Sequence, residues 1–314
     1  MSEQYDLVGD IHGHASALEP LLRAMGYQPK GKGYTHPERT LVMVGDLIDR
    51  GPEQARVLEI VRAMVDSGDA LVVMGNHEFN AICYATLNES GGYVRPHIYK
   101  NTYQHRAFLK AFPFGSRRHE EAIAFYKQLP LWLELEALQV VHACWHLPSM
   151  KSLLPWLDDK NRIRDERFYQ HYALKDEPLY SAVECVLKGP EVDLPAGAEF
   201  TDKDGIVRRE ARINWWQLHK GESASLAVRP ELHDEHDLSV QYEQARVFEY
   251  RGETLTFFGH YWQRDFDPEG VRGQRAFCLD YSVAKQGQLV AARWNGQREN
   301  IEWFAIHQSE RGSC

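Results

Sequence analysis

The chain has 314 residues, 43% of them hydrophobic and 26% charged, which is the composition of a soluble globular protein with a sizeable core. Its formal net charge of -9 argues against a protein that coats nucleic acid by bulk electrostatics, so a stable nucleic-acid complex is not expected. No apolar run approaches the roughly 20 residues of a membrane span, and five cysteines without a CxxC pair favour a reduced, cytoplasmic setting.

Five short apolar runs each lead directly into a polar residue that can bind a metal ion. Continuous β-branched and aliphatic runs of this length are typical of strands that are buried on both faces. The runs are YDLVGD ending at Asp10, LVMVGD at Asp46, LVVMGN at Asn76, LQVVHA reaching His142 and TLTFFGH reaching His260.

Segments with helical spacing separate the first three of these strands. Residues 15–25 carry leucines on one face, and residues 52–65 open with Pro52, which is common at a helix start. This β-α-β-α-β order predicts an α/β fold with a largely parallel sheet and crossover helices. Ligands bind such sheets beyond the carboxyl ends of the strands, where all five polar residues fall.

The later part of the chain is less regular. Residues 179–188 are predicted to form a helix, and residues 274–306 alternate like antiparallel strands that turn at Gly287 and at Asn295-Gly296.

No segment has the composition of a linker that would divide the chain. We therefore predict a single domain over residues 1–314. Insertions around 88–124 and 145–250 are expected to cover the site.

The first two motifs combine carboxylates with an imidazole and a guanidinium. In GDIHGH, Asp10 and His12 are two residues apart, so in extended chain they point to the same side and can share one ion. The simpler interpretation is a pair of surface loop residues. GDLIDRGP adds Asp46, Asp49 and Arg50 after a strand, where an ion pair is the simpler interpretation.

The third motif, GNHE, supplies Asn76 and His77, and its simpler interpretation is a turn that caps a helix beginning near Glu78.

Taken together, the polar residues at five strand ends predict a dinuclear metal centre. Asp46 could bridge two cations about 3.5–4 Å apart. Mixed oxygen and imidazole ligands suit Mn, Fe or Zn better than Ca.

The ordered set GDIHG, GDLIDRG, GNHE, VH and GH resembles the calcineurin-like metallophosphoesterase superfamily. The Asp-Arg-Gly of the second motif resembles the phosphoprotein phosphatase branch, which includes bacterial serine/threonine phosphatases and diadenosine tetraphosphatases. The resemblance covers roughly residues 5–80, 125–143 and 255–261. It implies a four-layer α-β-β-α sandwich with mixed sheets and a metal site at the C-terminal ends of the strands.

The resemblance also implies a ligand set. Asp10 and His12 would hold the first metal, Asp46 would bridge, and three residues would hold the second metal, namely Asn76, His142 and His260. The superfamily often reads Gly-His-X-His at the last motif, whereas Trp262 stands in the place of the second histidine. The first metal would therefore keep open positions for water.

Roles in the reaction follow from the same resemblance. Arg50 would clamp phosphoryl oxygens, and His77, oriented by Asp49, would protonate the leaving group. Substrate-binding residues would be Arg50, Asn76 and a second arginine, for which Arg212 is the candidate. Arg208, Arg209 and Lys188 are its rivals.

One segment is unusually basic and aromatic. Residues 91–119 contain six Lys or Arg, six aromatic residues and no acid. Cations interleaved with stacking rings suit a nucleotide. An amphipathic helix over residues 101–112, with buried aromatics and solvated basic residues, explains the same pattern.

Three functions compete. The first is a dinuclear-metal phosphoesterase that hydrolyses phosphoester or phosphoanhydride bonds by in-line attack of metal-bound hydroxide, with dinucleoside polyphosphates as candidate substrates. The second is a protein serine/threonine phosphatase, and the third is a non-catalytic scaffold on the same fold, which the intact ligand set disfavours. Expected partners are therefore a phosphorylated small molecule, a nucleotide or a phosphoprotein. The sequence leaves the oligomeric state open.

Overall fold

The computed structural model of this chain contains, among the described residues, two large mixed β-sheets, three two-stranded antiparallel sheets and nine α-helices. The structure describes residues 4–194, 199–201, 207–217, 246–248, 250, 252–264, 266–268, 274–296 and 301–307. The strands are β1 (Tyr5–Val8), β2 (Gln28–Lys30), β3 (Gly33–Thr35), β4 (Thr40–Met43), β5 (Ala70–Val72), β6 (Trp132–Glu134), β7 (Leu138–Val141), β8 (Glu191–Asp193), β9 (Phe200–Thr201), β10 (Val207–Arg208), β11 (Glu210–Arg212), β12 (Leu255–Phe258), β13 (Ala276–Cys278), β14 (Asp280–Tyr281), β15 (Gln288–Trp294) and β16 (Ile301–His307). The α-helices are α1 (Ala15–Ala24), α2 (Gln54–Asp66), α3 (Asn76–Ala85), α4 (Tyr99–Gln104), α5 (Arg106–Ala111), α6 (Arg117–Tyr126), α7 (Leu147–Leu153), α8 (Arg167–Ala173) and α9 (Pro178–Lys188).

The first sheet has the strand order β14-β15-β1-β4-β5, with β16 also paired to β15. As the sequence predicts, β1, β4 and β5 are parallel and are connected through helices, while β15 runs antiparallel to β1. The second sheet has the order β13-β12-β7-β6, in which β7, β12 and β13 are parallel. The five polar residues that the sequence places at strand ends all follow the carboxyl ends of strands in these two sheets.

Alternate residues of the strands serve two different cores. Leu7 of the first sheet and Phe257 of the second belong to one buried cluster between the sheets, whereas Val8 packs in a larger cluster with helical residues such as Leu18 and Val61. Burying one such side chain contributes about 1.5–3 kcal/mol. The helices therefore cover the outer faces of the paired sheets, which is the predicted four-layer α-β-β-α sandwich.

Two local predictions are wrong. Residues 274–306 are not antiparallel throughout, because β13 pairs in parallel with β12 and only the following strands are antiparallel to one another. The chain passes between the sheets at Leu279, whose amide donates to the carbonyl of Phe258 at 2.7 Å. The helix predicted over residues 101–112 is interrupted at His105, which separates α4 from α5.

Among the described residues, no helix combines the length and the apolar character that are needed to cross a bilayer. Four buried cysteines are free thiols, namely Cys83, Cys144, Cys185 and Cys278. Of the insertion predicted over 145–250, residues 195–198, 202–206, 218–245 and 249 lie outside the described residues.

Candidate metal centre

The loops that follow the strands have an unusual backbone at the predicted site residues. Five of these residues have positive φ: 47° at His12, 50° at Asp46, 67° at Asp49, 65° at Arg50 and 69° at His260. Residues other than glycine seldom adopt this left-handed region, and each such residue costs on the order of 1–3 kcal/mol. The fold therefore maintains local strain where the predicted site residues meet.

Backbone hydrogen bonds and a glycine hold these loops together. The amides of Ile11 and His12 both donate to the carbonyl of Asp46, at 3.1 and 2.8 Å. A Cβ atom at Gly75 would lie 2.2 Å from the amide nitrogen of Asp46. Only glycine therefore permits the turn after β5 to approach the turn after β4 this closely.

Donor atoms of four predicted ligands converge on one point. Asn76 Oδ1 lies 2.7 Å from His260 Nδ1 and 3.0 Å from His142 Nε2, and that Nε2 lies 3.3 Å from Asp46 Oδ1. The other nitrogen of His142, Nδ1, donates to the carbonyl of Val44 at 2.7 Å, which leaves Nε2 free for a metal ion. This is the donor set that the sequence predicts for the second metal.

A second group of donors lies on the other side of Asp46. His12 Nδ1 donates to the carbonyl of Ile48 at 2.9 Å, so its Nε2 faces Asp46 Oδ2 at 3.6 Å. Asp10 Oδ2 accepts from the amide of His260 at 3.1 Å, while its buried Oδ1 has no hydrogen-bond partner among the described residues. A bound cation would satisfy that orphaned carboxylate oxygen.

The electrostatics of these groups also fit cations. Burial opposes ionisation of Asp46, but the imidazoles around it, His142 foremost, hold its pKa well below the usual range. Burial lowers the pKa of His12 to about 3, which favours the neutral, metal-binding form. Burial, followed by the neighbouring Asp280, raises the pKa of Asp10 well above its usual value. A neutral His12 and crowded buried acids are what bound cations would stabilise.

Glu78 holds the backbone of the loops that carry Asp46 and Asn76, a role that the sequence did not predict. Its Oε2 accepts from the amides of Asp46 and Gly75 at 2.9 and 3.0 Å, and its Oε1 accepts from those of Leu47 and Ile48 at 2.9 and 3.3 Å. The available signal was the capping-box spacing, because Glu78 stands three residues after the N-cap Gly75.

Replacing Glu78 by glutamine is expected to lower the free energy of unfolding by about 1–3 kcal/mol, because an amide NH₂ would face backbone donors that need an acceptor. Urea denaturation of the metal-free protein measures this change. Glu121→Gln is the matched control, since Glu121 is 46% exposed and paired with Arg117. A loss no larger than that of the control would contradict the supporting role of Glu78.

His77 lies between the metal-binding atoms and Asp49. Its Nδ1 is 2.6 Å from Asp49 Oδ2, and its Nε2 faces Asp46 Oδ2 at 3.8 Å. Burial opposes protonation of His77, but Asp46 and then Asp49 raise its pKa. Donor atoms of His12, Asp46 and His77 also lie within 4.8 Å of one another, so this geometry suits either a proton donor or a further ligand.

Arg50 contacts Trp262, the residue that stands in place of the second histidine of the superfamily's Gly-His-X-His motif. Its guanidinium carbon lies 4.6 Å from the ring centroid of Trp262, and Lys285 Nζ lies 3.7 Å from the same centroid. Arg50 and Lys285 are both exposed. Two cations thus contact the ring of Trp262, two residues after His260, which suits an anionic substrate.

His105 is a site residue that the sequence did not indicate. It is buried, and its Nδ1 lies 2.8 Å from Asp49 Oδ1. Both oxygens of Asp49 are therefore occupied by imidazoles. No motif spacing marks His105, which lies within the basic and aromatic segment.

Arg212, the predicted second arginine, ends β11 and donates to a glutamate of β8 at 3.0 Å. Its buried Nε has no hydrogen-bond partner among the described residues. After burial itself, the charge of Arg212 is the largest cause of the lowered pKa of His260. Arg212 therefore lies close enough to the predicted ligand His260 to influence its charge. Lys188 and Arg209 each pair with a glutamate, and the side chain of Arg208 is outside what is described.

Comparisons with known proteins identify a family model and relatives that this chain resembles. A family model described as calcineurin-like phosphoesterase matches residues 5–194. Bis(5'-nucleosyl)-tetraphosphatase PrpE [asymmetrical] of Oceanobacillus iheyensis is 31% identical over 145 residues, which are 46% of this chain and 56% of that protein. The protein of that name from Halalkalibacterium halodurans is 44% identical over 75 residues, 24% of this chain and 30% of that protein. This chain thus matches about half, or less, of the length of these curated relatives.

The solved structure of a protein serine/threonine phosphatase from Saccharomyces cerevisiae, described as similar to human phosphatase PP5, shares the fold with a TM-score of 0.50. The superposition covers 99% of this chain and 81% of that chain at 14% identity. At this identity the likeness concerns the fold alone.

Proposed function

Because this chain belongs to the calcineurin-like phosphoesterase family, we propose that it is a metal-dependent hydrolase of phosphoester or phosphoanhydride bonds. The observation that carries the proposal is the convergence of Asn76 Oδ1 with His260 Nδ1 at 2.7 Å and with His142 Nε2 at 3.0 Å. Atoms that approach so closely while facing one point form a ready-made cation site.

Two metal ions fit the donors, and Mn or Fe suits the mixed oxygen and imidazole set best, with Zn also suitable. Asp10 and His12 would hold one ion. The other ion would be held by Asn76, His142 and His260. Asp46 would bind both ions. When bound, such ions supply an activated water and neutralise charge on the phosphoryl group.

The chain's own groups would orient the substrate and deliver a proton. Arg50, held against Trp262, would bind phosphoryl oxygens with its planar guanidinium. Asn76 and Arg212 are proposed as further substrate-binding residues. His77 would give its Nε2 proton to the leaving oxygen, because Asp49 Oδ2 accepts from its Nδ1 at 2.6 Å and fixes the ring.

We further propose a nucleotide substrate, with dinucleoside polyphosphates as the first candidates. The curated relatives are named as tetraphosphatases of this kind. In the basic and aromatic segment, Tyr99 is 83% exposed and Tyr103 is 51% exposed, with their ring centroids 5.8 Å apart. Arg106 lies 3.8 Å over the ring of Tyr103. Exposed rings beside a cation suit base stacking, whereas Phe108 is buried as the amphipathic-helix interpretation requires.

Changing Arg106 and Lys110 together to alanine is expected to raise the KM for nucleotides several-fold, because both cations are exposed on the segment that carries the stacking rings. The KM for p-nitrophenyl phosphate should stay unchanged, since that substrate offers no base or extended phosphate chain. Steady-state kinetics on both substrates measures the difference, with Lys32→Ala as the control at an exposed cation outside the segment. Unchanged nucleotide kinetics would remove the segment from substrate selection.

A substrate panel tests the proposed function itself. Mn-loaded enzyme is incubated separately with diadenosine tetraphosphate, a phosphoserine peptide and a bis-aryl phosphodiester, and turnover numbers are compared. We expect nucleotide release to be at least about tenfold faster than the other reactions. Fastest turnover of the peptide would select a protein serine/threonine phosphatase, and inactivity on all three with metal bound would select the scaffold.

We also propose a single domain over residues 1–314 with insertions around 88–124 and 145–250. The contact of His105 with Asp49 supports this for the first insertion, because it brings that insertion to the site. A cytoplasmic location is proposed as well, with the four buried free thiols as support.

A further inference from the structure

His105 lies at the junction of α4 and α5, where it caps both helices with φ −96° and ψ 5°. Its ring stacks on Phe108 with centroids 4.7 Å apart and also contacts Tyr84 at 5.4 Å. The side chain is 5% exposed. The ring is therefore fixed by packing and points inward, away from the exposed rings of the same segment.

His105 contacts the carboxylate of Asp49, which also holds His77, the proposed proton donor. Asp49 Oδ1 is 2.8 Å from His105 Nδ1, and Asp49 Oδ2 is 2.6 Å from His77 Nδ1. An ionised carboxylate only accepts, so each imidazole must donate its Nδ1 proton to it. Both rings are thereby held in one orientation, with Nε2 of His77 directed towards Asp46.

The backbone of Asp49 is secured separately. Its amide donates to Gln54 Oε1 at 2.9 Å, and Gln54 Nε2 donates to the carbonyl of Asp49 at 3.0 Å. These bonds fix the main chain but not the rotation of the carboxylate. Burial opposes ionisation of Asp49, and among its partners His105 contributes most to holding its pKa well below the usual range.

We propose that His105 is a positioning residue for proton donation: it fixes the carboxylate of Asp49, which in turn orients His77. This inference rests on the proposed function, since it assigns His77 as the donor. It also gives the insertion a direct connection to the reaction. The same segment carries Tyr103 and Arg106 on its exposed side. Substrate contacts there would therefore lie next to His105, which contacts Asp49.

Two variants of His105 separate hydrogen bonding from packing. H105N retains an N–H near the position of Nδ1, whereas H105F retains the ring and loses the donor. For each we measure kcat and KM on an alkyl phosphate, whose leaving group needs a proton, and on p-nitrophenyl phosphate, whose leaving group does not. Metal content and thermal unfolding are recorded alongside.

We expect H105F to lower kcat for the alkyl phosphate about 10- to 100-fold, the usual effect of losing a supporting hydrogen bond, with KM unchanged. Its kcat for p-nitrophenyl phosphate should change less than about threefold, and H105N should restore most of the loss. In a His77→Asn background H105F should add no further selective loss, because it acts through His77. Equal losses on both substrates, or no rescue by H105N, would overturn the proposal.

A spectroscopic measurement keeps the test independent of turnover. In zinc-loaded protein, the His77 Nδ1 proton bound to Asp49 should give a downfield proton NMR signal that H105N retains and H105F broadens or loses. If H105F does not fold, H105L replaces it in every comparison. A downfield His77 signal that is unchanged in H105F, or in its replacement H105L, would also overturn the proposal. An inactive wild type would overturn the proposed function instead, while the NMR result still decides the role of His105.

Discussion

Replacing Asp46 by asparagine is expected to lower turnover about a thousandfold or more and to reduce the bound metal from two ions per chain to at most one. The reason is that Asp46 faces both donor groups: Oδ1 lies 3.3 Å from His142 Nε2, and Oδ2 lies 3.6 Å from His12 Nε2. A neutral amide cannot bridge two cations as a carboxylate does, and groups that act as a unit lose activity together. Inductively coupled plasma mass spectrometry counts the ions, and a phosphatase assay on the same samples gives the turnover.

Asp165→Asn is the control for the Asp46 variant, because Asp165 is an exposed carboxylate that pairs with Arg167. Circular dichroism of both metal-free variants should match that of the wild type, since the amide oxygen can still accept from the His77 amide. Normal activity of the Asp46 variant, or two ions retained, would show that Asp46 does not bridge.

Replacing His77 by asparagine should leave two ions bound and slow hydrolysis of esters with poor leaving groups by about 10²–10⁴-fold. Asparagine can still donate to Asp49 in place of Nδ1, but nothing then occupies the position of Nε2, which is the atom proposed to carry the proton. Activated aryl phosphates should be slowed much less, because their leaving groups depart without protonation.

This variant also decides between two roles that the geometry permits for His77. Its Nε2 is 3.8 Å from Asp46 Oδ2, within reach of a cation shared with His12. Loss of an ion together with an equal loss of rate on both kinds of ester would identify His77 as a ligand. Retained ions with a selective loss would identify it as the proton donor.

The sequence was sufficient to predict the parallel strands and the polar residues at their ends because both depend on local patterns. A buried strand reads as a continuous apolar run, and the chain has to leave the sheet directly after it. Asp10, Asp46 and His260 could therefore be placed at strand ends from the sequence alone. Strand β13 could not be placed, since the alternation of its residues is the same in either sheet.

The supporting residues could not be predicted for a different reason. Glu78 and His105 act through contacts 32 and 56 residues away along the chain, with Asp46 and Asp49 respectively. Which buried polar group meets which partner depends on how helices pack on the sheets, and composition does not record this. His105 also ends a helix where the local pattern predicts that the helix continues.

The most direct test is to locate metal ions in crystals of the Mn-loaded protein by anomalous diffraction. We expect two peaks about 3.5–4 Å apart, one beside Asp10 and His12 and the other among Asn76, His142 and His260, with Asp46 touching both. A single peak, or peaks away from these residues, would contradict the proposed dinuclear centre.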